Sequence, residues 1–303
     1  MRLTLLGTTS MMPTRERAHS AHFLEYKGDG ILFDCGEGTQ RQILLAGINR
    51  QKTKIVCLSH WHGDHAAGLV AFLQSVTRDQ PPGTAPIQLI GPPGSAEHYH
   101  HLSRCMATDT PYNVEVQEIN APEVTLVLKA KDYQIHARNL EHAIPTLGFS
   151  FTEISHRNID KEWMQREGIP PGPHLRALKE GQAVEVAGRV IRPEEATYPT
   201  KTRKFAYVAD TRCCPGTVEI ARGADLLLCE ATHLQENAEK AHAHFHLTAR
   251  QAAEIARDAG AEQLVLTHFS QRYPNTLTHV AEAQAVFPNA MAGEDFLQVE
   301  ITK

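Results

Sequence analysis

"LSHWHGDHAAGL", residues 58–69, places His60, His62, Asp64 and His65 within six positions. The run before it, "KIVCLSH" (54–60), is apolar and β-branched and reads as a strand. The run after it, "AAGLVAFL" (66–73), has helical spacing. The four polar side chains therefore sit on a strand-to-helix loop. In extended backbone His60 and His62 point the same way, and Gly63 lets the chain turn so that Asp64 and His65 face back. Four ligands from one tight loop crowd a single tetrahedral ion, so the spacing points to two adjacent ions sharing them. Imidazole together with carboxylate favours Zn, Mn, Fe or Ni over Mg or Ca.

Two ions need further ligands, and the chain offers them at the ends of other apolar runs. His142 follows "YQIHARNLE" (133–141), Asp210 ends "KFAYVAD" (204–210) and His268 ends "QLVLTH" (263–268). Any one alone reads as an ordinary surface or structural residue; the repeated placement makes the pattern. Asp210, a carboxylate, can bridge both ions.

Around these positions short strand-like runs alternate with turns and helices in two successive halves. "RLTLLGT", "SAHFLEY" and "GILFDCG" open the first, and "ADLLLCEAT", "TARQAAEIARDAG" and "QLVLTHF" continue the second. This rhythm implies a layered α/β fold with helices outside two sheets. The segment "RNIDKEWMQREGIPPGPHLRALKEGQAVEVAGRVIRPEEATYPTKTRK" (157–204) breaks it. Its packed proline and glycine stop helix and ladder alike, and it reads as an excursion between two core strands, at about 153–195.

Composition is that of a globular chain of 303 residues, 42% hydrophobic and 21% charged, with formal net charge −5. Residues 155–204 hold ten Lys and Arg against seven Asp and Glu, a local +3. The six cysteines include no CxxC pair, which argues against a thiolate zinc site, and they read as reduced. No basic n-region with an apolar core opens the chain, and no apolar run approaches membrane-spanning length. The expected setting is a reducing cytoplasm, with no membrane partner. The runs "HYHH" (98–101) and "HAHFH" (242–246) add histidines; only His246 in the second is expected to have a role.

HxHxDH followed by the three later ligands resembles the metallo-β-lactamase superfamily, and further segments resemble its ribonuclease Z family, the tRNA 3′-processing endonucleases. These are "LLGTTSMMPTRERAHSA" (5–21), "LFDCGEGTQRQIL" (32–44), "EHAIPTLGFSF" (141–151), "GIPPGPHLRALKEGQAV" (168–184), "CEATHL" (229–234), "HFHLTARQAA" (244–253) and "LTHFSQRY" (266–273). The resemblance implies a four-layer αββα sandwich of one domain, residues 1–303, with an inserted flexible arm. It implies one ion on His60, His62 and His142, a second on Asp64, His65 and His268, and Asp210 between them. Zinc is the first expectation, with Mn, Fe or Mg as alternatives.

By the same resemblance, Glu230 and His246 match a pair implicated in proton transfer, and Asp64 also contacts the nucleophilic water. The implied reaction is two-metal hydrolysis of precursor tRNA, leaving a tRNA 3′-hydroxyl and a trailer 5′-phosphate. The basic arm, with Arg157, Lys161, Arg166, Arg176 and Lys179, would grip the RNA. Arg15, Arg17 and Arg272 would contact it near the cut. A homodimer is implied as well. Ala209, Ala18 and Leu247 replace the glycine, asparagine and serine usual in the family, and Phe149-Ser150 its usual Tyr-Arg. The competing expectation is a hydrolase of small phosphodiesters or other esters on the same fold, which has no use for the arm.

Overall fold

The computed structural model describes residues 1–302 apart from 79, 82 and 106–112. Two mixed seven-stranded sheets pack against one another. The first runs, edge to edge, Gln298–Glu300, Arg2–Gly7, Ala21–Tyr26, Asp29–Phe33, Thr53–Cys57, Ile87–Gly91 and Val114–Glu118. The second runs Ala290–Ala292, Gln263–Thr267, Leu226–Glu230, Lys204–Val208, Thr146–Glu153, Tyr133–Leu140 and Thr125–Lys129. Each has an antiparallel half and a parallel half.

Strand periodicity explains the layers. Side chains alternate between the two faces of a strand. Phe205, Tyr207, Leu226 and Leu228 accordingly enter the core between the sheets, beside Ile31, Phe33 and Ile55 from the first. Their chain neighbours Ala206, Val208, Leu227 and Cys229 enter a separate outer core under helices. Phe33 meets Phe149, Phe205 and Tyr207 edge-on, at 5.2–6.3 Å between ring centroids. Each fully buried ring or leucine contributes roughly 1.5–3 kcal/mol of transfer free energy.

The covering helices follow from local signals. Ala249–Ala259 starts at Thr248, whose hydroxyl accepts from Gln251 N–H while the Gln251 side chain accepts from Thr248 N–H. It stops at Gly260, with φ 64°. Its buried face is mostly alanine, which lets it sit close on the second sheet. On the first sheet the helix Leu69–Thr77 buries Leu69, Val70, Phe72, Leu73 and Val76.

"GDHAAGLVAFLQSV" forms two helices, Gly63–Ala66 and Leu69–Thr77. The break lies where the loop after the Asp29–Phe33 strand crosses. Cys35 N–H donates to His65 O at 2.7 Å and Gly68 N–H donates to Cys35 O at 2.9 Å. A Cβ on Gly68 would stand 2.1 Å from Gly36 O, so glycine alone permits the approach. That crossing clamps the histidine loop to the first sheet.

Residues 154–203 leave the second sheet between two strands that pair directly, Phe151 opposite Phe205. They form their own small structure. Arg157–Ile159 pairs with Thr197–Pro199, Val184–Val186 with Arg189–Ile191, and three short helices complete it, Lys161–Arg166, His174–Lys179 and Pro193–Ala196. Met164, Leu178, Ile191 and Ala196 make a core separate from the sandwich. A groove of about 640 Å³, lined by Ile159, Met164, Leu175 and Tyr198 with Lys161 and Lys179, opens on it. All six cysteines are free, and among the described residues no helix is long and apolar enough to cross a membrane.

Candidate metal centre

In an α/β sheet, ligand sites form beyond the carboxyl ends of the parallel strands, and both sheets turn those ends to one edge. Thr53–Cys57 delivers His60, His62, Asp64 and His65. Lys204–Val208 delivers Asp210, Leu226–Glu230 ends on Glu230, and Gln263–Thr267 delivers His268. His142 comes from the connection between Tyr133–Leu140 and Thr146–Glu153.

The side chains converge as two groups. His60, His62, His142 and Asp210 form one; Asp64, His65, Asp210 and His268 form the other. Within each group the ligand atoms lie within 4.8 Å of one another, and Asp210 belongs to both. His62 Nδ1 stands 3.0 Å from His60 Nε2 and 3.2 Å from His142 Nε2. His65 Nε2 stands 3.2 Å from His268 Nε2 and 3.3 Å from Asp210 Oδ1. Asp210 Oδ1 is buried, and among the described residues no donor satisfies it.

Nitrogen lone pairs and a carboxylate oxygen gathered this closely, with an orphaned buried acceptor at the centre, fit divalent cations. They fit a purely hydrogen-bonded core poorly. The clusters are compatible with a dinuclear metal site.

The far ring nitrogens are fixed by partners that sequence reasoning missed. Asp34 is fully buried and has φ 57°. It accepts from Ser59 N–H at 2.7 Å, Ser59 hydroxyl at 2.8 Å, His65 Nδ1 at 2.7 Å and Tyr207 hydroxyl at 2.7 Å. Because Ser59 donates to Asp34, its oxygen accepts from His60 Nδ1, 3.0 Å away. Thr232 repeats the device. Its hydroxyl donates to Glu230 at 2.6 Å and so accepts from His268 Nδ1 at 2.9 Å. His142 Nδ1 donates to Phe245 O at 3.2 Å. In its neutral form each of these rings then presents a bare Nε2 to the cluster, the tautomer that ligation needs.

Electrostatics agree with that reading, with one instructive exception. Burial, reinforced by His65, drives the His60 pKa well below its ordinary value. Burial raises Asp210, but the surrounding His268, His65 and His246 outweigh it and hold the carboxylate ionised. Asp64 is lowered in the same way, against burial, by His268 and His65. His65 runs the other way. Asp210 and Asp34 overcome its burial and raise its pKa, so a cation arriving there displaces a proton.

Glu230 and His246 lie against the second group, with His268. His246 Nδ1 donates to Glu230 Oε1 at 3.1 Å. Glu230 is fully buried and also accepts from Thr211 N–H at 2.8 Å. Burial lowers the His246 pKa, but Glu230 and Asp210 outweigh it and raise it to about 9.

Of the arginines considered for substrate, Arg17 is turned inward. It donates to Thr8 at 2.6 Å and Gly293 O at 2.8 Å, over the Phe269 ring. Arg157 donates to Thr197 and Pro193. Arg176 pairs with Glu180 and Arg166 with Glu167. Arg15 is exposed, and so is Arg272, which donates to Ser270. Ala209 and Leu247 are buried in the two cores, and Ala18 N–H donates to Asp295. "HYHH" lies within the helix Ser95–Arg104.

Residues 30–269 match the family model described as a beta-lactamase superfamily domain. Ribonuclease Z of Chlamydia muridarum is 38% identical over 303 residues, covering 99% of this chain and 97% of that protein. The chain belongs to the ribonuclease Z family. Ribonuclease Z of Methanothermobacter thermautotrophicus is 36% identical over 307 residues with the same coverage. The crystal structure of the short form of human tRNase Z superposes over all of both chains, with TM-score 0.71 and 26% identity. The four-layer sandwich is thus the metallo-β-lactamase fold, and the chain is a metal-dependent hydrolase of the ribonuclease Z family.

Proposed function

We propose that this chain is the endoribonuclease that removes the 3′ trailer from precursor tRNA. The observation that carries the reading is the convergence of seven ligand side chains from four separate segments on one buried cluster, in a chain 36–38% identical end to end to ribonuclease Z proteins. His60, His62 and His142 would hold one ion and Asp64, His65 and His268 the second, with Asp210 between them. Zinc suits this imidazole-rich set best, with Mn, Fe and Mg as alternatives. Two divalent ions, when bound, lower the pKa of water and neutralise charge developing on the phosphate.

The chain's own groups supply the rest. Asp64 orients the attacking water in line with the departing oxygen. His246, held protonated by Glu230, donates its proton to the leaving ribose 3′-oxygen. Two cations nearby would bring its pKa down from about 9 towards neutrality, where a general acid is most effective. The products are a tRNA with a free 3′-hydroxyl and a trailer with a 5′-phosphate. Residues 153–195 serve as a tRNA-gripping arm; local positive charge is what a polyphosphate needs, whatever the net charge. We place the protein in the cytoplasm as a homodimer.

The test is end-mapping of a 3′-extended precursor tRNA incubated with metal-loaded protein, with Asp64→Ala as control. A single cut at the discriminator or after CCA, absent from the variant, supports the reading. An intact precursor, with a small phosphodiester still hydrolysed, would transfer the function to the small-ester reading.

A further inference from the structure

Arg212 stands two residues after Asp210, and its place on the rim is set by the metal-site loops themselves. Its N–H donates to Glu141 O at 3.0 Å, beside His142, while the Thr211 hydroxyl accepts from Glu141 N–H at 3.1 Å. Its guanidinium carbon lies over the Phe245 ring, 3.8 Å from the centroid, and Phe245 immediately precedes His246.

Phe245 has φ 58°, a conformation uncommon for a bulky residue. That conformation serves two purposes at once. The carbonyl accepts from His142 Nδ1, and the ring becomes a platform under Arg212.

Beyond that ring contact and one long ion pair, the guanidinium spends none of its donors within the protein. Among the described residues it makes no hydrogen bond, and its Nε is buried without a partner. The carboxylate facing it, Glu141, makes only a long, half-exposed ion pair with Nε at 3.9 Å, beyond hydrogen-bond range. The side chain is 26% exposed, so the remaining donors reach solvent. Arg17 and Arg157, in contrast, spend their donors on protein acceptors. An arginine held over an aromatic ring, with its solvent-facing donors unbonded, is suited to take a phosphate in a bidentate grip.

We propose that Arg212 binds the phosphate one nucleotide 5′ of the scissile one, and so holds the retained end of the RNA. The side follows from His246. That histidine protonates the 3′-oxygen of the last retained nucleotide, and Arg212 sits on its neighbour, so the phosphate within its reach is the one at that nucleotide's 5′ side. The inference rests on the function proposed above.

The test is a cycle on precursor tRNA in which that one phosphate is replaced by neutral methylphosphonate. In the wild-type chain the replacement lowers kcat/KM by about 10- to 100-fold, the range of a charged hydrogen bond. In Arg212→Ala the same replacement costs less than about twofold, because the contact is already gone. Arg212→Lys, with charge but no fork, falls between. A variant that had merely lost structure would still respond to the neutral linkage as the wild type does.

Losses that multiply overturn the inference, and so does coupling to the phosphate on the trailer side instead. A wild-type chain that leaves the unmodified precursor intact overturns the proposed function together with this inference. One that cuts it and shows no coupling overturns the inference alone.

Discussion

Replacing Asp34 by asparagine tests whether the ligand set is held ready by hydrogen bonding. The two carboxylate oxygens do different work. Oδ1 accepts from the Ser59 N–H, while Oδ2 accepts from the Ser59 hydroxyl, His65 Nδ1 and the Tyr207 hydroxyl. An amide must put its NH₂ at one of these places. At Oδ1 it meets a backbone N–H that cannot reverse. At Oδ2 the two hydroxyls can rotate to accept, but His65 can accept only by moving its proton to Nε2, the nitrogen that faces His268 and Asp210. Either choice strands a buried donor or blocks a ligand.

Loss of such a partner typically weakens metal affinity 10- to 100-fold, about 1.4–2.7 kcal/mol. The assay is chelator competition on Asp34→Asn, with near-ultraviolet circular dichroism confirming the folded state. Tyr207→Phe is the matched control. It removes one donor to Asp34 and leaves the His65 tautomer alone, so affinity should change less than about threefold while stability falls by about 1 kcal/mol. A folded Asp34→Asn that binds metal like the wild type would refute the tautomer argument.

Other outcomes follow from the same geometry. His246→Ala should lower kcat by about 10²–10⁴-fold with metal content unchanged by elemental analysis; equal losses of metal would remove it from the acid role. Thr232→Val removes the hydroxyl that joins Glu230 to His268, leaving His268 Nδ1 without its acceptor, and should lower the unfolding free energy by about 1–3 kcal/mol while weakening metal binding, read by denaturant titration and chelator competition. Metal binding should release protons and weaken as pH falls, because carboxylates raise the His65 pKa and bound imidazole must be unprotonated; calorimetry in buffers of different ionisation enthalpy counts those protons. Burial raises the Glu153 pKa, but Arg203, 2.5 Å away, outweighs it and lowers it from the ordinary 4.5 to about 2. A depressed carboxylate stabilises the fold above its unfolded pKa and loses that contribution as pH falls through its folded one. The stability gap between wild type and Glu153→Gln should therefore close between about pH 4.5 and pH 2; a gap independent of pH would contradict the pairing.

What the sequence made legible was what geometry ties to a strand end. His142, Asp210 and His268 each follow an apolar run, and a run that ends at a sheet's carboxyl edge leaves its next polar side chain in the site. The tight HxHxDH spacing likewise survives without any knowledge of the fold. Asp34 obeys the same rule, since it closes "GILFD" at the end of a parallel strand, yet a lone aspartate before cysteine and glycine reads as a turn residue. Its neighbours in space, Ser59 and Tyr207, are 25 and 173 residues away. No local period encodes a partner at such distances.

Thr232 was within reach, because it lies inside "CEATHL", but attention goes to Glu230 and a hydroxyl has many uses. Phe245 and Arg212 were beyond reach, since their relation depends on a backbone conformation that aromatic residues rarely adopt. The ligands are thus written in spacing, whereas the groups that orient them are written in topology. The second set separates a cluster of histidines from a centre able to hold metal. Four histidines with free tautomers would bind protons and each other as readily as cations. With Asp34, Ser59, Thr232 and the Phe245 carbonyl fixing the far nitrogens, the near ones have a single role left.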